Sequence, residues 1–335
     1  MQIMINTTLM ANNASCVTTT QTSNQLLMSI YIIAFILGLL FNLVTIGPII
    51  QQIRKKNCVG IYLLGLSISD LLYILTMPLW IHYFSNNHKW TLKQELCSLA
   101  GFFYYSNLYI SIYLLCWISI DRCLAITFPL RVQAFRRQRY AWIICGLVYV
   151  FVMLLHCLVL VKEKVPDPLN NERCYETFPM TFPIALFNLI RVAFGFLLPL
   201  VVITVCYYLI PNKVQQSRGV DEQVKRKVRL LSIGVIGIFS ICFAPYHILL
   251  LLRSIVFFSL GDQNSCSFEQ AINLPFTCSL ALSSLNSVVD PVVYVLASNG
   301  VREDMRWYCW KSRPRQETGS PLVDAKCKTK VISLS

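Results

Sequence analysis

The chain has 335 residues, of which 56% are hydrophobic and only 13% charged, with a mean hydropathy of +0.57. A soluble globular protein carries about 25% charged and about 45–50% apolar residues, so this composition excludes a disordered chain and argues against a soluble enzyme. The formal net charge is nevertheless +13. Strong basicity in so apolar a chain points to the cytoplasmic face of a membrane rather than to nucleic acid.

A spanning helix needs roughly 20 mostly apolar residues. Seven stretches qualify, at about 26–53, 58–84, 94–127, 138–161, 182–212, 223–258 and 271–297. The polar separators between them are too short to be soluble domains. Residues 1–25 contain no Lys or Arg and lack the basic start and cleavage site of a signal peptide, so the first span is expected to be its own targeting signal. The expected layout is an extracellular segment over 1–25 and an all-α, seven-transmembrane-helix bundle over 26–297. A short amphipathic eighth helix over 298–311 and a disordered cytoplasmic tail over 312–335 follow. In that eighth helix Trp307, Tyr308 and Trp310 suit the membrane interface and Arg302 and Arg306 suit lipid phosphates. Cys309 beside them is a candidate palmitoylation site, an unmodified thiol being the other reading.

The basic residues predict the orientation. With residue 1 outside, the inner segments hold Arg54, Lys55 and Lys56, then Arg131, Arg136, Arg137 and Arg139, then the cluster from Lys213 to Arg229, and finally the basic tail. The outer segments hold only Lys89, Lys93, Lys162, Lys164 and Arg173, and an excess of this sign marks the cytoplasmic side. Asn6-Thr7-Thr8 and Asn13-Ala14-Ser15 are glycosylation acceptors, useful only on the lumenal side. Of 14 cysteines, Cys16, Cys97, Cys174 and Cys266 fall in outer segments, where an oxidising space suggests two bridges. Three pairings are open, and Cys97–Cys174 with Cys16–Cys266 is preferred.

Several short motifs recur at fixed places on these spans. Asp121-Arg122-Cys123 closes the third, Cys242-Phe243-Ala244-Pro245 lies within the sixth, and Asp290-Pro291-Val292-Val293-Tyr294 ends the seventh. Asn42 stands in the first, Ser67-Ile68-Ser69-Asp70 in the second, and Trp90 seven residues before Cys97. In this order on seven spans they resemble the class A (rhodopsin-like) G-protein-coupled receptors over nearly the whole chain. Ile61-Tyr62-Leu63-Leu64, Leu79-Trp80-Ile81 and the run from Cys242 to Leu252 look like the proton-sensing and lysolipid-type members. His156, Arg191 and Asp290-Pro291 are shared with the oxidised-fatty-acid receptor of that group.

The resemblance implies roles. Asp121 would hold Arg122 at rest and release it to the C-terminal helix of a heterotrimeric G protein, with Tyr207 and Tyr294 swinging in to stabilise the active state. Ile112, Pro199 and Phe239 occupy the core packing switch. Lys225 stands where many relatives carry an acid that clamps Arg122, which predicts a loosely locked resting state. Arrestin and a receptor kinase are the further expected partners. Tyr104 occupies the place of the aspartate in amine receptors, and the seventh span lacks the lysine of a retinal Schiff base.

Asp70 and Asp290 are carboxylates at mid-membrane depth, where an ionised group is costly unless solvated or paired. The family fold would gather them with Ser111 and Asn286 in a polar cavity that commonly holds sodium, the one cofactor-like ligand expected. Two carboxylates in one site cannot both ionise cheaply, so the pair is suited to hold a proton. The bland reading is a hydrogen-bonded pair with sodium or water. Histidine titrates near pH 6.5, but the chain has only 4. Val152 stands where the resembled proton sensors carry a glutamate, which weakens a pH-sensor reading.

Arg191 in span five and Arg253 at the outer end of span six speak most directly to the ligand. A guanidinium in hydrocarbon faces a cavity or a partner, and its planar fork suits a carboxylate or phosphate. With Tyr104, Phe187, Tyr246, His247 and Leu250 around them, they describe an anion-binding point in an apolar crevice. That chemistry fits an anionic lipid such as an oxidised fatty acid or lysophospholipid. The competing reading pairs these arginines with Glu172, Glu176 or Glu269. The sequence therefore predicts a plasma-membrane receptor that turns an extracellular lipid or acidic pH into G-protein activation. A proton- or ion-translocating seven-helix membrane protein is the alternative, disfavoured by the few polar groups in spans four and five.

Overall fold

A computed structural model describes residues 21–128, 137–163, 174, 180–216, 222–260 and 266–297. Asn6, Asn13, Cys16, Cys309, the eighth helix and the tail lie outside these residues, as do Glu172 and Glu176. Span one is α1 (Gln21–Arg54), and span two is α2 (Cys58–Ile74) followed by α3 (Met77–Ser85). Spans three and four are α4 (Gln94–Thr127) and α5 (Gln138–Glu163). Span five runs through α6 (Phe182–Val192), a π turn (Ala193–Leu197) and α7 (Leu198–Gln216). Span six is α8 (Glu222–Leu260), and span seven is α9 (Cys266–Ser284) and α10 (Asn286–Ala297). The described residues contain 7 helical runs long and apolar enough to cross a membrane, so the seven-helix expectation is borne out.

The distribution of side chains is that of a bundle solvated by lipid. Leu26, Ile33, Ile36, Leu40 and Leu43 are exposed on span one, and Ile143, Leu147, Val150, Leu154 and Leu158 on span four. The spacing of three or four residues puts each set on one face. Buried instead are Asn42, Asp70, Asn107, Ser111, Asn286 and Asp290. Apolar groups outside and polar groups inside is the arrangement hydrocarbon requires, because only other protein groups can satisfy polar atoms there.

Local chemistry sets where each span bends. Asn57 caps α2, its side chain accepting from the Val59 N–H at 3.2 Å. Span two breaks at Leu75–Thr76, where the Thr76 hydroxyl donates to the Tyr73 carbonyl at 2.7 Å and Pro78 starts α3. Span six carries Pro245, whose missing N–H leaves a gap in the hydrogen-bond ladder. Span seven breaks between Ser284 and Asn286, and Asn42 reaches across from span one to donate to the Ser287 carbonyl at 2.8 Å. Gly65 lets span four close on span two. A Cβ there would stand 2.7 Å from the Cys145 sulfur, and the Tyr149 hydroxyl donates to the Gly65 carbonyl at 2.5 Å.

Span three runs through the middle, packed against spans two, four and five. Its first turns are tied by the Cys97–Cys174 disulfide. This is the disulfide end of the bundle, and the other is the Asp121–Arg122 end.

Candidate ligand site and transduction core

Arg191 sits on the last turn of α6, just before the π turn. Its Nε donates to the Tyr109 hydroxyl at 3.0 Å, while its Nη2 is buried with no hydrogen-bond partner. The guanidinium lies 4.5 Å from the Tyr105 ring centre, 5.2 Å from Tyr109, 5.4 Å from Phe187 and 5.9 Å from Tyr246. Aromatic faces attract a cation but neutralise no charge. Among the described residues no carboxylate pairs with Arg191.

The π turn positions this group. Its hydrogen bonds run to the fifth residue, the Leu198 N–H donating to the Ala193 carbonyl. Gly195 within it faces the Tyr109 ring, and a Cβ there would stand 2.5 Å from Cε1. Span five thereby gives Tyr109 its seat and presents Arg191 over it.

Two histidines border the same rings. His156 stacks on Tyr105 and Tyr109, at 6.1 and 5.5 Å between centres. Its Nδ1 donates to the Val152 carbonyl at 2.9 Å, and its Nε2 is buried without a partner. In the neutral ring that Nε2 is a bare acceptor. His247 is also buried, and its Nδ1 donates to the Phe243 carbonyl at 2.8 Å. Its Nε2 therefore accepts from the Tyr109 hydroxyl, at 3.3 Å. The buried Tyr246 hydroxyl lacks a hydrogen-bond partner. Two polar nitrogens and a hydroxyl left open among aromatic rings describe a receptacle for a polar group from elsewhere.

Arg253 is engaged differently. Its Nε donates to Glu269 Oε2 at 2.8 Å, with both side chains buried, and its guanidinium lies 4.6 Å from the Phe276 ring centre. Phe276 in turn touches Tyr246, at 5.8 Å between centres. One ring thus separates Arg253 from the Arg191 group, and a span-seven glutamate holds its charge. Tyr104 lies on the other side of Tyr105, at 4.9 Å between centres. Its hydroxyl is 2.6 Å from the Ser283 hydroxyl, and it packs with Tyr73 and Trp80.

Deeper in the bundle lies a second polar cluster. Asn107 donates to Asp70 Oδ1 at 2.8 Å and accepts from the Ser287 hydroxyl at 3.4 Å. Asn286 donates to Asp290 Oδ2 at 2.9 Å. Asp70 Oδ2 and the Ser111 hydroxyl are buried without partners. Ser111 stands one helical turn beyond Asn107, on the same face of span three. An open carboxylate oxygen and an open hydroxyl are the hard oxygen donors a sodium ion takes, so these residues fit that group.

At the opposite end Tyr207 packs against Cys123, Cys206 and Ile210, where spans three and five meet. Asp121 and Arg122 are half-buried there. Lys225 pairs with Glu222 on its own helix, at 2.8 Å. Ile112, Phe196, Ile203, Phe239 and Phe243 form one continuous core, with Pro199 buried beside them.

Residues 41–294 match the seven-transmembrane receptor family of the rhodopsin type. The chain belongs to that family. It is 33% identical over 322 residues to the probable G-protein coupled receptor 132 of Mus musculus, covering 92% of this chain and 82% of that protein. It is 32% identical over 277 residues to the G-protein coupled receptor 68 of Bos taurus, covering 82% of this chain and 75% of that one. The cysteinyl leukotriene receptor 2 of Mus musculus is 31% identical over 281 residues, covering 83% and 89%. The chain is a multi-pass membrane receptor that signals through G proteins, and it is not an enzyme.

Within this receptor the structure groups Arg191, Tyr246 and His247, and sets Arg253 and Tyr104 one ring away on either side. It joins Asp70 to span seven through Asn107 and Ser287, which the sequence motifs do not single out. Ser111 shares the face of Asn107, and Asn286 holds Asp290. Tyr294 lies on α10, but its side chain falls outside the described residues, as does that of Cys266. The Cys97–Cys174 bridge is present, while Cys16 leaves the second pairing outside the description. Tyr105 and Tyr109 join this site although the sequence motifs do not single them out. Their signal was the Tyr-Tyr-x-x-x-Tyr spacing, which puts both on one side of span three opposite Arg191.

Proposed function

We propose that the receptor binds an anionic lipid, an oxidised fatty acid or a lysophospholipid, with its head group on Arg191. One observation carries this reading: a half-buried arginine whose Nη2 is buried with no partner, its guanidinium surrounded by Tyr105, Tyr109, Phe187 and Tyr246. Arg253, held by Glu269, forms the neighbouring wall rather than a second anchor. The bare Nε2 of His156 supplies an acceptor for a hydroxyl, which favours an oxidised chain over a plain one. We further place the receptor in the plasma membrane with the disulfide end outside and the Asp121–Arg122 end toward the G protein. Arrestin and a receptor kinase would follow at that same end.

The test measures G-protein nucleotide exchange with hydroxylated linoleic acid, its methyl ester, linoleic acid and lysophosphatidic acid, on wild type and Arg191→Gln. Removing one partner of a desolvated charge pair costs about 2–5 kcal/mol, so the potency of the hydroxylated acid is expected to fall at least about 30-fold in the variant. The methyl ester is expected to be inactive and linoleic acid weaker than its hydroxylated form. Equal potency of acid and ester, or of wild type and Arg191→Gln, overturns the anchor. A stronger response to lysophosphatidic acid assigns the head group as phosphate.

A second reading rests on a separate observation, the open Asp70 Oδ2 in a network that reaches span seven. A proton or a sodium ion on Asp70 would set the resting balance of the receptor, with Ser111 as the second oxygen donor for sodium. Sodium would supply a counter-charge there, and Asn107 would orient the carboxylate in either case.

A further inference from the structure

The Tyr109 hydroxyl accepts from Arg191 Nε and donates to His247 Nε2. It is thus one atom shared by spans three, five and six. His247 has no other Nε2 partner, since its Nδ1 is tied to the Phe243 carbonyl. The imidazole lies nearly parallel on Phe196, 4.6 Å between centres with 11° between planes. Phe196 lies parallel to Phe239 at 6.0 Å and 3°, and Phe239 meets Phe243 at 5.0 Å. A continuous path of rings therefore runs from Tyr109 to the core around Ile112. Packed interiors do not deform smoothly, so a shift at one ring must be taken up by the next.

Arg191 is only half available to a ligand as it stands. Carboxylates pair most strongly with a guanidinium through two parallel N–H···O bonds. On the side edge of this guanidinium those donors are Nε and Nη2. Nη2 is open, but Nε is occupied by Tyr109. A carboxylate that takes the whole edge must displace the Tyr109 hydroxyl.

We propose that this displacement is the coupling event: Tyr109 is the positioning residue that reports occupancy of Arg191 to His247 and so to span six. The inference rests on Arg191 as the anion anchor. At rest the Tyr109–His247 bond holds span six against span three. When an anion claims Nε, the hydroxyl loses the cationic donor that fixed it, its hold on His247 loosens, and the stacked rings follow span six.

The test uses the full receptor in membranes, with nucleotide exchange on added G protein and binding of hydroxylated linoleic acid measured separately. Tyr109→Phe is expected to raise ligand-free exchange several-fold and to leave little further gain from the lipid. Its affinity for the lipid is expected to hold or to tighten by about two- to tenfold, the worth of one hydrogen bond no longer displaced. His247→Phe keeps a ring on Phe196 but removes the acceptor, and it is expected to raise ligand-free exchange as Tyr109→Phe does. The double variant should rise no further than either single change, because both break the same bond. Unchanged ligand-free exchange in Tyr109→Phe, weakened binding in it, or multiplied effects in the double variant would each overturn the proposal. If Tyr109→Phe fails to reach the membrane, ligand-free exchange of His247→Phe decides in its place. Lipid binding that ignores Arg191→Gln removes the anchor reading instead, while the ligand-free arm still reads the Tyr109–His247 bond.

Discussion

The Arg253–Glu269 pair makes a prediction whose size can be worked from its surroundings. Both side chains are nearly out of solvent, at 8% and 2% exposure. Breaking a buried pair by removing one partner costs about 3–5 kcal/mol, mostly because the other charge is stranded. In Glu269→Ala the guanidinium keeps the Phe276 face at 4.6 Å, a contact worth about 1 kcal/mol that already exists in the wild type and lets the arginine settle. The expected loss is therefore toward the lower part of that range, about 3 kcal/mol. Arg253→Met combined with Glu269→Leu replaces both charges by apolar groups of similar volume, and such exchanges are neutral or stabilising. The double variant is expected within about 1 kcal/mol of wild type. A mixed-micelle unfolding titration of the solubilised receptor measures wild type, Arg253→Met, Glu269→Leu and their double as the four corners of a cycle, with Glu269→Ala beside them. A Glu269→Ala loss below about 1 kcal/mol, or a double variant as unstable as the summed singles, would refute the assignment of a desolvated pair.

Two further outcomes concern the resting state. Lys225→Glu supplies the acid that many receptors of this family carry at that position and is expected to lower ligand-free nucleotide exchange, with wild type measurably active without lipid; a silent wild type would refute the loosely locked resting state. Lowering the pH from about 8 to about 6, the range that brackets the histidine pKa, is expected to raise lipid-free exchange in wild type. Asp290→Asn, which fixes the neutral side chain beside Asn286, is expected to flatten that response, and an unchanged titration would remove Asp290 from pH sensing.

What could be read from the sequence divides along a physical line. Each span is a local property of apolar length, so the seven helices were legible before any coordinates. Asp70, Asp290 and Arg191 were legible for a related reason, since an ionisable residue in an apolar run demands a partner. Tyr105 and Tyr109 were not, because a tyrosine inside a helix counts as apolar bulk until something polar meets its hydroxyl. Asn107 escaped similarly, as one amide among the tyrosines and aliphatic residues of span three. The fate of the two arginines could not be divided from sequence, where Glu269 stood as a candidate for both. Distance between spans decided it, giving Glu269 to Arg253 and leaving Arg191 with rings. Nothing in Ala193–Leu197 announces a π turn either, for that geometry reflects what span five packs against.

The π turn has a consequence for how such a receptor can change over time. It houses one residue more than an α-helical turn, so the two halves of span five are phased independently. Deleting a single residue between Ala193 and Leu197 would restore the α-helix and rotate everything before it by about 100°. Arg191 and Phe187 would swing away from Tyr109, while Pro199, Ile203 and Tyr207 kept their places. One codon could thus rewrite the surroundings of Tyr109 without touching the Asp121–Arg122 end. The settings of Arg191 and of Tyr207 are, in this chain, separately heritable.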